Sequence, residues 1–148
     1  MKKILTSIIL LLLLTSGAFA QRHLNCYPVF QGEVVPGKQM VVTEVRGSSM
    51  STYKLDYYRG VTFQADTLLA RKVAALVGAD VSAAESAETE IVGEMLTYAL
   101  VQPKTRGRIH RYLCYQARST TYGGWIITLL YLEGSATLED LRSMFEKQ

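Results

Sequence analysis

The chain has 148 residues, of which 16 are basic, 13 are acidic and two are cysteines. Two of the lysines, Lys2 and Lys3, belong to an N-terminal leader, and without them fourteen basic residues face thirteen acidic ones. That balance excludes the strongly basic surface on which nucleic-acid binding depends.

Residues 1–20 have the pattern of a secretory signal peptide. The two lysines precede an aliphatic run from Ile8 to Leu14, and Ala18-Phe19-Ala20 supplies small residues for cleavage. A membrane span needs about 20 apolar residues, so this run is too short to be one. The sequence therefore predicts cleavage near Ala20-Gln21 and a periplasmic or secreted protein without a transmembrane span.

The first half of the mature chain predicts a tail, two strands and a long helix. Residues 21–38 contain prolines and glycines without a hydrophobic period, which indicates a tail or linker before a single domain over residues 39–148. Residues 40–45 are rich in β-branched residues and predict a first strand, and a short strand follows at 57–63. Asp66 is a suitable N-cap for a helix over 66–91, or for two helices that meet near Gly78 and Asp80. Seven apolar residues recur there at helical spacing: Leu69, Val73, Leu76, Val77, Ala84, Ala87 and Ile91.

The second half predicts an antiparallel meander and a final helix. Three strand-like runs over 95–132 are separated by two loops of hairpin length that contain glycine. The last run, 125–132, is apolar on both faces, which is typical of a central strand covered on both sides or of one that meets a partner subunit. Thr137 and Asp140 form a variant capping box for a helix over 137–147. The order of elements predicts an α+β two-layer sandwich.

The two cysteines, Cys26 and Cys114, favour a disulfide, because an even cysteine count in an exported protein is read first in that way. A zinc site formed by these two cysteines with His23 and His110 is a weaker hypothesis. Four residues of a strand span about 13 Å, so His110 and Cys114 lie too far apart to bind one ion. We expect neither a metal nor another cofactor.

Aromatic and basic residues supply the candidate binding sites. Nine tyrosines are present, and tyrosine is common both in strand packing and in interfaces. The candidate interface residues are Tyr53, Tyr57, Tyr58 and Arg59, together with Tyr122 and Trp125 in a later loop. A basic segment offers Arg106, Arg108 and Arg111 to an anionic or carbohydrate ligand.

No catalytic motif is present in the sequence. It contains no Gly-x-Ser-x-Gly elbow, phosphate loop or dinucleotide fingerprint. A hydrolase would have to use His110 or His23 as its base. We therefore expect no catalytic residues and regard a hydrolase as a minority hypothesis.

The C-terminal third resembles small secreted proteins of Gram-negative gut bacteria that are classified as domains of unknown function. The resemblance lies in residues 111–115 and in the stretch 127–141, where a strand runs into a glycine turn and a Leu-Glu-Asp-Leu helix. Residues 45–47 and 53–59 are also similar. The resemblance implies a secreted α+β domain without an assigned activity.

These observations lead to three hypotheses. The first is a non-enzymatic exported module that binds a partner protein or its own copy. The second is a binding module for an anionic or carbohydrate ligand, and the third is a hydrolase.

Overall fold

The computed structural model describes residues 23–104 and 107–146. The predicted signal peptide and Arg106 lie outside the described residues. Within these ranges there are three α-helices: α1 (Tyr27–Phe30), α2 (Thr67–Ala83) and α3 (Leu138–Glu146). Six strands form one sheet: β1 (Val41–Arg46), β2 (Leu55–Ala65), β3 (Ser86–Val92), β4 (Met95–Gln102), β5 (His110–Ser119) and β6 (Trp125–Gly134).

The sheet is antiparallel throughout and has the strand order β1-β2-β6-β5-β4-β3. The predicted α+β class, the meander β4-β5-β6, the N-terminal strand and the C-terminal helix are all confirmed. The last strand of the meander, β6, lies between β2 and β5 and has buried residues on both faces, which explains its continuous apolar sequence.

Helices cover both faces of the sheet. On one side, here the α2 face, α2 and the N-terminal segment pack on residues such as Val61, Leu113 and Leu129. On the other side, the α3 face, α3 packs through Leu141 on Tyr112 and Leu132. The sandwich of α2 and the sheet is present as predicted, and α3 adds a further layer.

The long helix is shorter than predicted. It begins after Asp66, whose side chain accepts a hydrogen bond from the Leu69 N–H at 2.8 Å, and runs through Gly78 without a break. It ends at Ala83, and residues 86–92 form β3 instead of the second half of a helix. The cause is that β3 is an edge strand exposed on both faces, so no alternation of apolar and polar residues marks it.

The N-terminal segment is part of the core and is not the predicted linker. Leu24, Cys26, Val29, Phe30 and Val35 are buried in the cluster beneath α2.

A buried carboxylate fastens this segment to α2. Asp80 accepts hydrogen bonds from the backbone N–H groups of Asn25 at 2.6 Å and Cys26 at 3.0 Å, and from the Asn25 side chain at 3.1 Å. Asp80 therefore binds the start of α1.

Candidate functional site

A groove opens on the α3 face between α3, strands β2 and β6, and the 3-10 turn Ser48–Tyr53. Its volume is about 570 Å³, within the range of roughly 300–1,000 Å³ that is usual for sites binding small molecules. Its walls are mainly aliphatic and aromatic, with two further hydroxyl groups. The described lining residues are Met50, Thr52, Tyr53, Leu55, Tyr58, Leu130, Leu132, Leu141, Ser143 and Met144.

A bulge in β2 shapes the floor of the groove. Leu55 pairs with Gly134 and Tyr57 pairs with Glu133, so Asp56 is an extra residue in the β2 strand. The bulge changes the alternation, and Leu55 and Tyr58 consequently face the same side of the sheet. Without it, these two residues would lie on opposite faces.

The wall formed by the 3-10 turn is held at both ends. Gly47 precedes the turn with φ 87°, and its N–H donates to the Asp56 carbonyl at 3.0 Å. Lys54 follows the turn in the left-handed region at φ 56°, and its ammonium group lies 3.3 Å from the Asp140 carboxylate on α3. This ion pair joins the two walls at the mouth of the groove.

Tyr58 lies over Gly60 on the groove floor. A Cβ placed on Gly60 would come within 3.0 Å of the Tyr58 hydroxyl and 2.9 Å of Leu130, so glycine allows the ring to lie flat along the strand. Burial, followed by the nearby Cys114 thiol, raises the pKa of Tyr58. The phenol is therefore neutral at physiological pH, and the described lining residues include no acidic or basic side chain.

The hydroxyl groups of the tyrosines differ in their partners. Four interior tyrosines donate to described partners: Tyr57 to Glu44, Tyr112 to the Ala136 carbonyl, Tyr115 to the Leu96 carbonyl and Tyr131 to Glu133. Within the part of the chain that the structure describes, four hydroxyls have no such partner, those of Tyr53, Tyr58, Tyr98 and Tyr122. Of these four, Tyr53 and Tyr58 line the groove.

The structure separates the four residues predicted around position 57. Tyr53 and Tyr58 line the groove, whereas Tyr57 and Arg59 lie on the α2 face. The Tyr57 ring is buried against Tyr131, with 6.0 Å between the ring centroids. The predicted cluster is therefore not one site.

Arg59 holds the N-terminal segment on the sheet. Its Nη2 donates to the Phe30 carbonyl at 2.9 Å, and its buried Nε has no partner among the described residues. The contact is to the end of α1, so we assign Arg59 a structural role.

A chain of polar side chains crosses the α2 face at one end of the sheet. Arg46 lies over the Tyr57 ring at 4.5 Å and pairs with Glu44 at 3.0 Å. On the neighbouring strands, Glu133 accepts from the Tyr131 hydroxyl at 2.7 Å and pairs with Arg111 at 3.2 Å. Burial, and then the Glu133 carboxylate, strongly raise the pKa of Tyr131.

The structure describes two of the three predicted basic residues. Arg111 pairs with Glu133 at 3.2 Å, and Arg108 is exposed in the loop before β5. The hypothesis of an anionic or carbohydrate ligand at these residues stays a prediction.

Tyr122 and Trp125 do lie together, at the end of the sheet where α2 begins. They line a shallow, open pocket with Gln64, Asp66 and Thr120. Tyr122 is 99% exposed, and Trp125 packs partly on the core of the α2 face. The proximity of the two aromatic residues agrees with the sequence analysis.

The two cysteines are not brought together. Cys26 belongs to the core of the α2 face and Cys114 to the core of the α3 face, and both are free thiols. A disulfide needs Cβ atoms about 4 Å apart, and the sheet separates these two. Burial raises the pKa of Cys114 to about 12, and burial followed by Asp80 raises that of Cys26.

Within residues 23–104 and 107–146, no group of three or more His, Cys, Asp or Glu side chains is placed to hold a metal ion. His110 lies on β5 beside the ring of Tyr112. No helix in the same ranges is both long and apolar enough to cross a membrane.

The edge strand β1 is a surface that the sequence analysis did not single out. Five of its six residues are exposed, including Val41 at 71% and Val42 at 47%. The β-branched composition of β1 identified a strand, but sequence alone does not show which strand lies at an edge.

The comparisons give a family and no function. No curated protein and no solved structure matches the chain. The model of a family of unknown function matches residues 13–145, which include every strand described above and nearly all of α3. The chain therefore belongs to this family of unknown function, DUF6108.

Proposed function

We propose that the protein is an exported, non-enzymatic module that associates with a second copy of itself through β1. The signal-peptide pattern of residues 1–20 supports export. The absence of a catalytic motif from the sequence supports a binding role. The observation that carries the proposal is the difference between the two edges of the sheet.

The β3 edge has features that discourage the addition of another strand. Its pairing with β4 is interrupted by a bulge between Glu90 and Ile91. Glu88 and Glu90 place charges along the edge, and Arg142 of α3 forms an ion pair with Glu88. Bulges and charged side chains are the usual means by which edge strands avoid pairing.

The β1 edge has fewer of these features. It pairs with β2 in continuous register from Val41 opposite Thr62 to Arg46 opposite Tyr57. It contains no proline and no bulge, its two N-terminal valines are largely exposed, and its charged residues Glu44 and Arg46 pair with one another. An edge that is regular and exposed is suited to receive a strand from another chain.

The sequence of β1 is suited to pairing with itself. In an antiparallel pair related by a two-fold axis through Thr43, each Val41 lies opposite Val45 of the second copy and Thr43 lies opposite Thr43. Such β-branched and threonine pairs stabilise antiparallel strands. If the two-fold axis passed through Glu44 instead of Thr43, the two Glu44 side chains would lie opposite each other, and their repulsion disfavours that register. The arrangement joins two six-stranded sheets into one, with two-fold symmetry.

The test is the solution mass of the mature chain from Gln21 and of two variants at Thr43. We expect a dimer by sedimentation equilibrium for the unsubstituted protein. Thr43→Lys and Thr43→Glu each place like charges in contact across the axis and should raise the dimer Kd by at least about tenfold. An equimolar mixture of the two variants should restore the dimer, because Lys then lies opposite Glu.

The matched control is Ile91→Lys, which adds the same charge to the exposed part of β3 and should leave the mass unchanged. A monomeric unsubstituted protein at the highest soluble concentration would overturn the proposal. A dimer that tolerates Thr43→Lys would also contradict it.

A further inference from the structure

We propose that the groove on the α3 face binds a small, uncharged and mainly apolar molecule that carries one hydrogen-bonding group. The described lining of the groove includes no residue of β1, although β1 pairs with β2 beside Tyr58 and Gly60. The proposal rests on the absence of charged residues from the described lining, on the size of the groove and on the half-buried Tyr58 hydroxyl in its floor.

Charge selects the class of ligand. The described lining residues carry no ionised side chain at physiological pH. At the mouth, Lys54 and Asp140 neutralise one another at 3.3 Å. A charged ligand would lose its hydration in the groove without gaining an ionic partner, which is costly. An uncharged ligand has no such cost.

Size and composition indicate a small molecule. A volume of about 570 Å³ suits a ligand of one or two rings or a short hydrocarbon chain. Leu130 and Leu132 form an apolar floor, and Met50 and Met144 stand on opposite walls. Methionine side chains adapt their shape to an apolar ligand.

The polar part of the ligand has a defined place. Tyr58 lies on the floor and Tyr53 at the rim, and neither hydroxyl is used within the described chain. The hydroxyls of the four interior tyrosines are all bonded. A half-buried phenol gains from a hydrogen-bond partner, and a hydroxyl or carbonyl group of the ligand would supply one to Tyr58.

The experiment compares two fluorescent probes on the mature chain. N-phenyl-1-naphthylamine is uncharged, and 1-anilinonaphthalene-8-sulfonate has the same ring system with an added sulfonate. We expect saturable binding of the uncharged probe with one site per chain, and binding of the sulfonate at least about tenfold weaker. No saturable binding, or a preference for the sulfonate, would overturn the proposal.

A lysine substituted into the lining tests whether the probes bind in the groove. Ser143 is exposed and lines the groove, so Ser143→Lys should fold normally. It should strengthen binding of the sulfonate severalfold and weaken binding of the uncharged probe. The matched control is Ser82→Lys at the exposed end of α2, which should change neither affinity. An equal response to both substitutions would show that the probes bind elsewhere.

The dimer test separates this proposal from the previous one. Titration of the uncharged probe at protein concentrations below and above the dimer Kd should give the same affinity per chain, whereas Thr43→Lys would also add a charge beside Gly60 on the groove floor. If only the monomer binds the probe, the groove is covered by a second copy and the small-molecule proposal is wrong. If the protein proves monomeric and still binds the probe, the proposal for β1 fails and the groove remains a ligand site.

Discussion

A single glycine, Gly134, allows the backbone of two neighbouring strands to approach closely. The carbonyl of Lys54 and the Cα of Leu55 lie 2.3 Å and 2.7 Å from the position that a Cβ on Gly134 would occupy. The Ala136 N–H donates to the same Lys54 carbonyl at 2.9 Å. The end of β6 can therefore pass beside the start of β2 only with glycine at position 134.

Two glycine substitutions should have opposite effects on stability. Gly134→Ala forces the Lys54–Leu55 backbone to move and should lower the free energy of unfolding by about 1–3 kcal/mol. Gly78→Ala, inside α2 and without an atom within 4 Å of the added Cβ, should raise it by about 0.5–1 kcal/mol. Urea unfolding followed by circular dichroism measures both. Equal shifts in the two variants would contradict the close approach at Gly134.

The alternation of side chains along a strand also explains why the prediction of a single site at residues 53–59 was incomplete. Tyr53, Tyr57, Tyr58 and Arg59 are close in sequence, but adjacent strand residues point to opposite faces. The bulge at Asp56 then decides which of them reach the α3 face. A bulge leaves no pattern in a single sequence, so the tyrosines could be recognised but not assigned to a face.

At the scale of elements, burial decides what the sequence reveals. The β6 strand was predictable because buried positions on both faces make it apolar throughout. The β3 strand was not, because it is exposed on both faces, and its Ala87 and Ile91 continue the helical spacing of Ala84, the residue that follows α2. Edge strands are defined by their position in the sheet, and that position comes from pairings distant in sequence.

The first turn of α3 was predicted correctly, and it gives a pH-dependent contribution to stability. Asp140 accepts hydrogen bonds from the Thr137 N–H at 2.8 Å and the Thr137 hydroxyl at 3.0 Å. These bonds, with a smaller effect of Lys54, lower the pKa of Asp140 below its ordinary value of 3.8. The stabilisation is therefore complete above the unfolded pKa and is lost as the pH falls through the lower folded pKa.

We expect Asp140→Asn to lower the thermal midpoint at neutral pH but not in strong acid. The isosteric amide resembles the protonated carboxyl, so the difference between the two proteins should shrink steadily as the pH falls below about 4. Thermal unfolding at a series of pH values measures the difference. Glu33→Gln, at an exposed position, is the control and should show little difference at any pH. A constant difference for Asp140→Asn would exclude a contribution from its charge.

At the scale of the whole molecule, the sheet divides the protein into two cores. The α2 face receives the N-terminal segment through Asp80 and Arg59, and the α3 face receives the C-terminal helix. The fold class followed from local patterns in the sequence. The burial of the N-terminal segment did not, because it depends on contacts more than fifty residues apart.

The two cores also determine the chemistry of the cysteines. Cys26 and Cys114 lie on opposite faces, and each thiol is buried with a raised pKa, to about 12 for Cys114. The reactive thiolate is therefore scarce at neutral pH. We expect the protein purified without reductant to contain two free thiols per chain. While the protein is folded, these thiols should react slowly with iodoacetamide. The thermal midpoint should be the same with and without reductant.

A substitution at Asp80 distinguishes the two thiols. Asp80→Asn replaces one of the acceptor oxygens by an N–H donor that faces either the Asn25 or the Cys26 N–H and cannot accept from it, which should loosen the N-terminal segment from α2. Alkylation of Cys26 should then accelerate, whereas Cys114, on the other face and behind α3, should stay protected. Peptide mapping by mass spectrometry measures both sites in one sample. Equal acceleration at both cysteines would indicate global unfolding, and a Cys26–Cys114 crosslinked peptide from the unsubstituted protein would contradict the separation of the two cores.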